Sequence, residues 1–277
     1  MAQALVSRAR VTRSVNDLPL TPAAMKLGAP AIFADKPSER VSSKYIYIPT
    51  HTILSALEDE GFRVYEVAQA RPHKKYAERE PYAKHMLRLR PEAPKKRSLR
   101  DSIPELVLLN AHDGTARYTL FVGMYRFICA NGLIVGTTYG GINIRHTGTE
   151  TSRIVTDESM KLTNDFGRVV EMANDMKRVE LKAKKQRALA EAALHLRWPH
   201  DNAPIGPDHL LAVRREADAA NDLWTLYNRI QENLMTGGME TRSFMFNRRS
   251  HVRPIQQIGQ TVDINRQLWD LAAGLLK

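Results

Sequence analysis

The side chains best able to do chemistry in this sequence are cations, and they are gathered rather than spread. Residues 84–90 (KHMLRLR) alternate polar and apolar, and a strand's period of two puts Lys84, Arg88 and Arg90 on one face as a ladder of positive charge. Lys95, Lys96, Arg97 and Arg100 follow in a proline-flanked loop. A second block, 242–253, supplies Arg242, Arg248, Arg249 and Arg253, with Phe244 and Phe246 among them and no acidic residue. Within 71–100, eleven Lys and Arg stand against three Glu, the kind of clustering a polyanion site requires. Tyr76, Tyr82, Phe244 and Phe246 lie close enough in sequence to these cations to stack on unpaired bases.

Other reactive residue types are poorly arranged. His112-Asp113 precedes Gly114, and Asp-Gly is what a hairpin turn needs, so turn chemistry is expected there rather than acid–base or metal chemistry. No His-x-x-x-His pair occurs. Cys129 lies in an apolar stretch (RFICANGL) and reads as a small core residue, not a nucleophile. Gly136, Gly140 and Gly141 lack the spacing and the following helix of a phosphate-cradling loop. No catalytic cluster, metal site or cofactor is expected.

The whole chain carries the same bias. Over 277 residues, 41 Lys and Arg face 30 Asp and Glu, a formal charge of +11, and such a field concentrates polyanions. The single cysteine excludes an internal disulfide and fits a reducing cytoplasm. The most apolar stretch, 120–136, is interrupted by Arg126 and Asn131, so no membrane span is expected. Arg8, Arg10 and Arg13 have no apolar block behind them, so no secretory signal is expected either.

The elements that must position these residues form an α+β chain: an N-terminal antiparallel sheet with packed helices, followed by a mainly helical C-terminal half. Residues 1–44, broken by four prolines, read as an irregular arm; 45–147 as the sheet domain; 148–277 as a helical region packing on it. In the sheet domain, strands are expected at 45–50 (YIYIPT), 62–70, 84–90, 105–110 and 117–122, with a hairpin turn around Asp113-Gly114. Thr50 should cap a helix that Gly61 stops, a short buried helix should cover 123–130, and a strand bent at Gly140-Gly141 should follow at 133–145. Further on, Leu162, Phe166, Val169, Ala173, Met176 and Val179 form one helical stripe inside a long helix over 154–198. That helix either lies across its own sheet or serves assembly. Helices at 217–235 and 263–276 complete the reading, with Asn228, Arg229, Gln231 and Glu232 exposed or capping on the first of them.

The strings YIYIPT, KHMLRLR, IPELVLLNAHDGT (103–115), GMYRFICANGLIVG (123–136) and NDLWTLYNRIQENLMTGG (221–238) resemble the YafZ/YfjQ-like proteins of prophages, plasmids and integrative elements, a family of unknown function. The likeness runs from about residue 45 to 275 and implies a mobile-element protein with no established catalytic residues. At the level of fold, the expected order of three strands then a helix is similar to Rad52-type single-strand annealing proteins. That similarity implies rings or filaments holding single-stranded DNA in a basic groove. The expectation is therefore a non-enzymatic, cytoplasmic, homo-oligomeric nucleic-acid-binding protein, with single-stranded DNA favoured. A protein that blocks a host defence by binding a host protein is the second reading.

Overall fold

A computed structural model describes residues 8–92, 101–127, 131–136, 141–144, 152–200, 202–242 and 249–276. Among them, seven strands form one antiparallel sheet: β1 (Ala9–Arg13), β2 (Phe62–Ala70), β3 (His85–Pro91), β4 (Ser102–Asn110), β5 (Tyr118–Arg126), β6 (Asn131–Ile134) and β7 (Gly141–Ile144). Neighbours follow chain order from β1 to β5. Both β6 and β7 pair with β5, opposite 123–126 and 118–121 respectively; residues 137–140, where a bend was expected at Gly140, lie outside the described residues.

Alternation decides what each sheet face carries. Leu87, Leu89, Leu106, Leu108, Leu120 and Val122 point into the main core. On the other face, Met86, Val107, Phe121 and Ile134 form a smaller cluster with Ile258 and Val262. The main core is closed by α2 (Thr50–Asp59), which buries Ile53, Leu54 and Leu57, and by α3 (Ser152–Thr163) and α4 (Asp165–Arg178). Gly61, at φ 85°, ends the α2 turn in a conformation glycine adopts freely.

Several expectations change here. Residues 9–13 of the supposed arm form β1, and Pro22–Gly28 forms a short helix, α1, capped by the Thr21 hydroxyl on Ala24 N–H at 3.2 Å. Residues 45–49 form no strand. They are an extended strap tied down by Tyr45 Oη on the Ala111 carbonyl (2.9 Å) and by Tyr47 Oη on the Ala34 carbonyl. The helix expected from residue 123 is instead the second half of β5, because Gly123 and Tyr125 alternate with Met124 and Arg126 in register with β4. Residues 128–130, including Cys129, lie outside the described residues.

The long helix is three: α3, α4 and α5 (Ala183–Arg197). Val179 leaves the helical conformation (φ −96°, ψ 104°) because its carbonyl accepts the Leu223 N–H at 2.8 Å, docking the α4–α5 link on a later segment. Of the expected stripe, Leu162, Phe166, Val169, Ala173 and Met176 are buried, whereas Val179 is half-buried and outside the helix. After α6 (Pro207–Leu211) comes α7 (Leu223–Thr236), capped by Asp222 on Thr225 N–H and closed by Gly237 and Gly238, both at positive φ. A small hairpin, β8 (Glu240–Arg242) and β9 (Arg249–His251), leads to α8 (Ile258–Ala273).

Helix α7 is buried on every side, Leu223 through Leu234. The four polar residues expected on its surface are inside, with partners from its own helix, from α8, from the Arg215 side chain and from the carbonyls of neighbouring loops. Arg229 donates to the carbonyls of Asp218 and Ala220 at 2.7 Å, Asn228 to Trp224, and Gln231 to Asn265 Oδ1 at 2.9 Å. Asn233 holds the Leu210 and Ala212 carbonyls in the same way. No helix among the described residues is long and apolar enough to cross a membrane.

Candidate functional site

Strand β3 alternates as its sequence predicts from Met86 onward, but what faces the arginines differs from the expectation. Arg88 and Arg90 do share a face with Met86, yet they are 3% and 5% exposed. Glu105 on β4, fully buried, takes Arg88 Nη1 directly and lies 3.5 Å from Arg90 Nε. Glu66 on β2 stands opposite Arg88 in the ladder, 3.7 Å from its Nε. A β-bulge between Val64 and Glu66 puts the extra residue, Tyr65, beside Arg90, whose guanidinium lies 4.4 Å from the Tyr65 ring centre and 3.3 Å from that of Tyr125. Burial works against charge on Arg88, but Glu105 and Glu66 outweigh it and hold its pKa above the ordinary value. These arginines are therefore partners of carboxylates inside the fold and do not offer a ladder to phosphates. The sequence did carry a signal: Glu105 breaks an apolar strand (IPELVLLN) in phase with Val107, beside a basic strand.

Glycines make room for this strip. A Cβ at Gly132 would overlap the Arg88 guanidinium, and Arg88 Nη2 donates to the Gly132 carbonyl at 3.1 Å. The strip opens into a cleft of about 210 Å³ between the sheet and the ends of α7 and α8. Its sheet side includes Val11, Arg13, Glu66, Met86 and Arg88, and its helix side Gln231, Met235, Thr236, Thr261 and Asn265. Arg13, at the mouth, donates from Nε to Glu66 Oε2 at 2.8 Å.

The remaining sequence candidates divide. Lys84 sits half-buried just ahead of β3. Arg249 is exposed and lies 3.3 Å from Glu240, while Arg253 is exposed with its carbonyl taken by Arg197. Arg242 stands opposite Arg249 in the hairpin register. Lys95, Lys96, Arg97, Arg100, Arg248, Phe244 and Phe246 lie outside the described residues. Tyr76 is covered by Arg79 at 4.1 Å, so its ring already has a cationic partner.

Asp113 behaves as read, accepting Thr115 N–H at 3.0 Å in the turn, with Gly114 at φ 78°. His112 does not belong to that turn chemistry. It is buried with His85, Thr50 and Asn110 under the 45–49 strap. The His85 Nδ1 lies 2.9 Å from the Ala83 carbonyl, which requires the proton on that nitrogen and leaves Nε2 to accept from the Thr50 hydroxyl at 2.8 Å. Asn110 Nδ2 donates to the same hydroxyl oxygen at 3.0 Å. Thr50 thus serves this cluster, and Pro49 holds the cap position instead. Burial lowers the His85 pKa to about 4, so the ring is neutral at pH 7.

A second buried network joins the sheet to the helices. Arg126, at the end of β5, reaches Asp101 at 3.2 Å and Asp218 at 2.6 Å; Asp218 also takes Arg215 at 2.6 Å. Lys177 of α4 lies 3.0 Å from Asp101. Burial opposes charge on Asp101, but the Lys177 and Arg126 cations hold its carboxyl below the usual range. Among the described residues no group of three or more His, Cys, Asp or Glu could hold a metal ion.

The fold and site define an α+β protein with a neutralised ionic strip, a small cleft and an excess of cations elsewhere. The chain belongs to the family described as a domain of unknown function (DUF932), which it matches over residues 37–269. It is similar to the UPF0380 proteins YafZ and YfjQ of Escherichia coli strain K12, each 38% identical over 260 residues that cover 94% of this chain and 93% of theirs. No solved structure matches significantly. The likeness to single-strand annealing proteins thus finds no support, and the helix on which it relied is strand.

Proposed function

We propose that this protein binds nucleic acid without transforming it, with single strands favoured over duplex, as a self-associating cytoplasmic protein. One observation carries the reading: exposed Arg8 and Arg71 and half-buried Lys84 stand at the same end of three neighbouring strands, and exposed Lys74 and Lys75 follow Arg71 in the chain. The Arg71 N–H donates to the Arg8 carbonyl at 3.2 Å and the Ala70 N–H to the Lys84 carbonyl at 2.8 Å, so the three segments that carry Arg8, Arg71 and Lys84 are backbone neighbours. Arg88 and Arg90 are spent on Glu105 and Glu66, so the charge of +11 that attracts a polyanion resides on other cations.

Fluorescence anisotropy with labelled single- and double-stranded oligonucleotides at two salt concentrations tests this. Binding that falls steeply with salt, tighter for the single strand, is expected. Absence of binding to either at low salt removes the proposal.

A further inference from the structure

We propose that the cleft between β1–β3 and the ends of α7 and α8 holds one unpaired nucleobase bearing an exocyclic amino group. The inference rests on the nucleic-acid reading above and specifies how a strand is held. Three properties of the cleft select such a group.

The first is size. About 210 Å³ is below the ~300–1,000 Å³ of sites for drug-sized ligands, and suits a single small ring system. The second is charge balance. Arg88 gives Nη1 to Glu105 and Arg13 gives Nε to Glu66, so each cation of the lining already has a carboxylate partner. A phosphate would have to displace those carboxylates, whereas an uncharged, hydrogen-bonding ring leaves the pairs in place. The cations that attract the backbone lie outside, with Arg8 directly preceding the cleft residue Ala9.

The third is the distribution of surface. Met86 from the sheet and Met235 from α7 both line the cleft, and thioethers pack well against flat rings. Glu66 gives one oxygen to Arg13; the other lies 3.7 Å from Arg88 Nε, too far for a hydrogen bond, and retains acceptor capacity. A carboxylate acceptor recognises an amino group, which adenine, cytosine and guanine carry and thymine lacks. The Gln231–Asn265 amide pair faces the same space from the helices.

The test uses the full chain and anisotropy with three oligonucleotides of equal length: oligo-dC, oligo-dT and an abasic strand with the same phosphate backbone. Binding of oligo-dC at least about tenfold tighter than the other two, reduced to parity in Ala68→Phe, which fills the cleft floor, supports the inference. Thermal unfolding of the variant establishes that it is folded; if it is not, the wild-type comparison decides alone. Equal affinity for all three strands overturns the base pocket and leaves the phosphate-binding proposal standing. No binding to any strand at low salt overturns both.

Discussion

Arg88 occupies the side-chain space that Gly132 leaves empty, and its Nη2 donates to the Gly132 carbonyl at 3.1 Å. The guanidinium cannot swing away, because Glu105 and the Leu133 carbonyl hold Nη1. Gly132→Ala should therefore destabilise the protein by about 1–3 kcal/mol, more than an exposed edge position would. Urea denaturation measures this; an unchanged midpoint would show that Arg88 is not pinned.

Glu105 is the carboxylate on which both buried arginines depend. Glu105→Ala leaves two desolvated guanidinium groups short of a counter-charge and should cost about 3–5 kcal/mol. The paired change Arg88→Met with Glu105→Leu should recover part of that loss, since an apolar replacement removes the desolvation penalty together with the pair. Denaturant midpoints of the single and double variants check this, and a double variant weaker than Glu105→Ala alone would contradict it.

These two residues also show where sequence reasoning stops. A period of two gives the face of Arg88 and Arg90 without any structure, and it gave that of Leu87 and Leu89 equally well. Which strand lies alongside is a long-range fact: Glu66 and Glu105 are opposite or near Arg88 only because β2 and β4 flank β3 in this register. The helix expected after Val122 failed for a related reason. Residues 123–126 have no strong local preference, and pairing with 102–105 on one side and 131–134 on the other makes them strand. On α7, Asn228, Arg229, Gln231 and Glu232 look like a surface face until α8 and the neighbouring loops are packed around them. Continuous local signals, such as the α4 stripe and the Gly237-Gly238 stop, were legible because they need no distant partner.

The buried His85 sets an acid limit on stability. In the unfolded chain its pKa is near 6.5, and in the fold burial lowers it to about 4. Above pH 6.5 both states are neutral at this ring and it contributes no pH dependence. Between 6.5 and 4 the unfolded state binds the proton and the folded state does not, so stability falls with falling pH. The loss approaches about 3 kcal/mol by pH 4. His85→Gln should flatten that part of the profile of melting temperature against pH, whatever its effect at pH 7. A variant with the wild-type slope would place the effect elsewhere.

Lys74 and Lys75 are the exposed cations that follow Arg71 in the segment on which the proposed function rests. Lys74→Ala with Lys75→Ala should weaken binding to single strands and reduce the slope of log affinity against log salt by about 1–1.5, two phosphate contacts fewer. Lys182→Ala with Lys185→Ala, at the exposed start of α5, removes the same charge elsewhere and serves as the comparison. Equal slopes for the two pairs would mean that net charge, and not this end of the sheet, attracts the strand.

Asp218 decides whether the helices stay docked on the sheet. It is 1% exposed, takes Arg126 from β5 and Arg215 from its own turn, each at 2.6 Å, and its carbonyl receives Arg229 of α7. Asp218→Asn keeps the shape but removes the negative charge shared by the two guanidinium groups, which a neutral amide cannot replace. A loss of about 3–5 kcal/mol is expected. Because Asp218 is one of the two carboxylates that hold Arg126, Arg126→Met should cost less in the Asp218→Asn background than alone. A double-mutant cycle measured by denaturant unfolding gives that coupling directly. A coupling of zero would mean that Arg126 and Asp218 stabilise the fold independently, and that the sheet–helix junction depends on apolar packing between α4, α7 and the sheet.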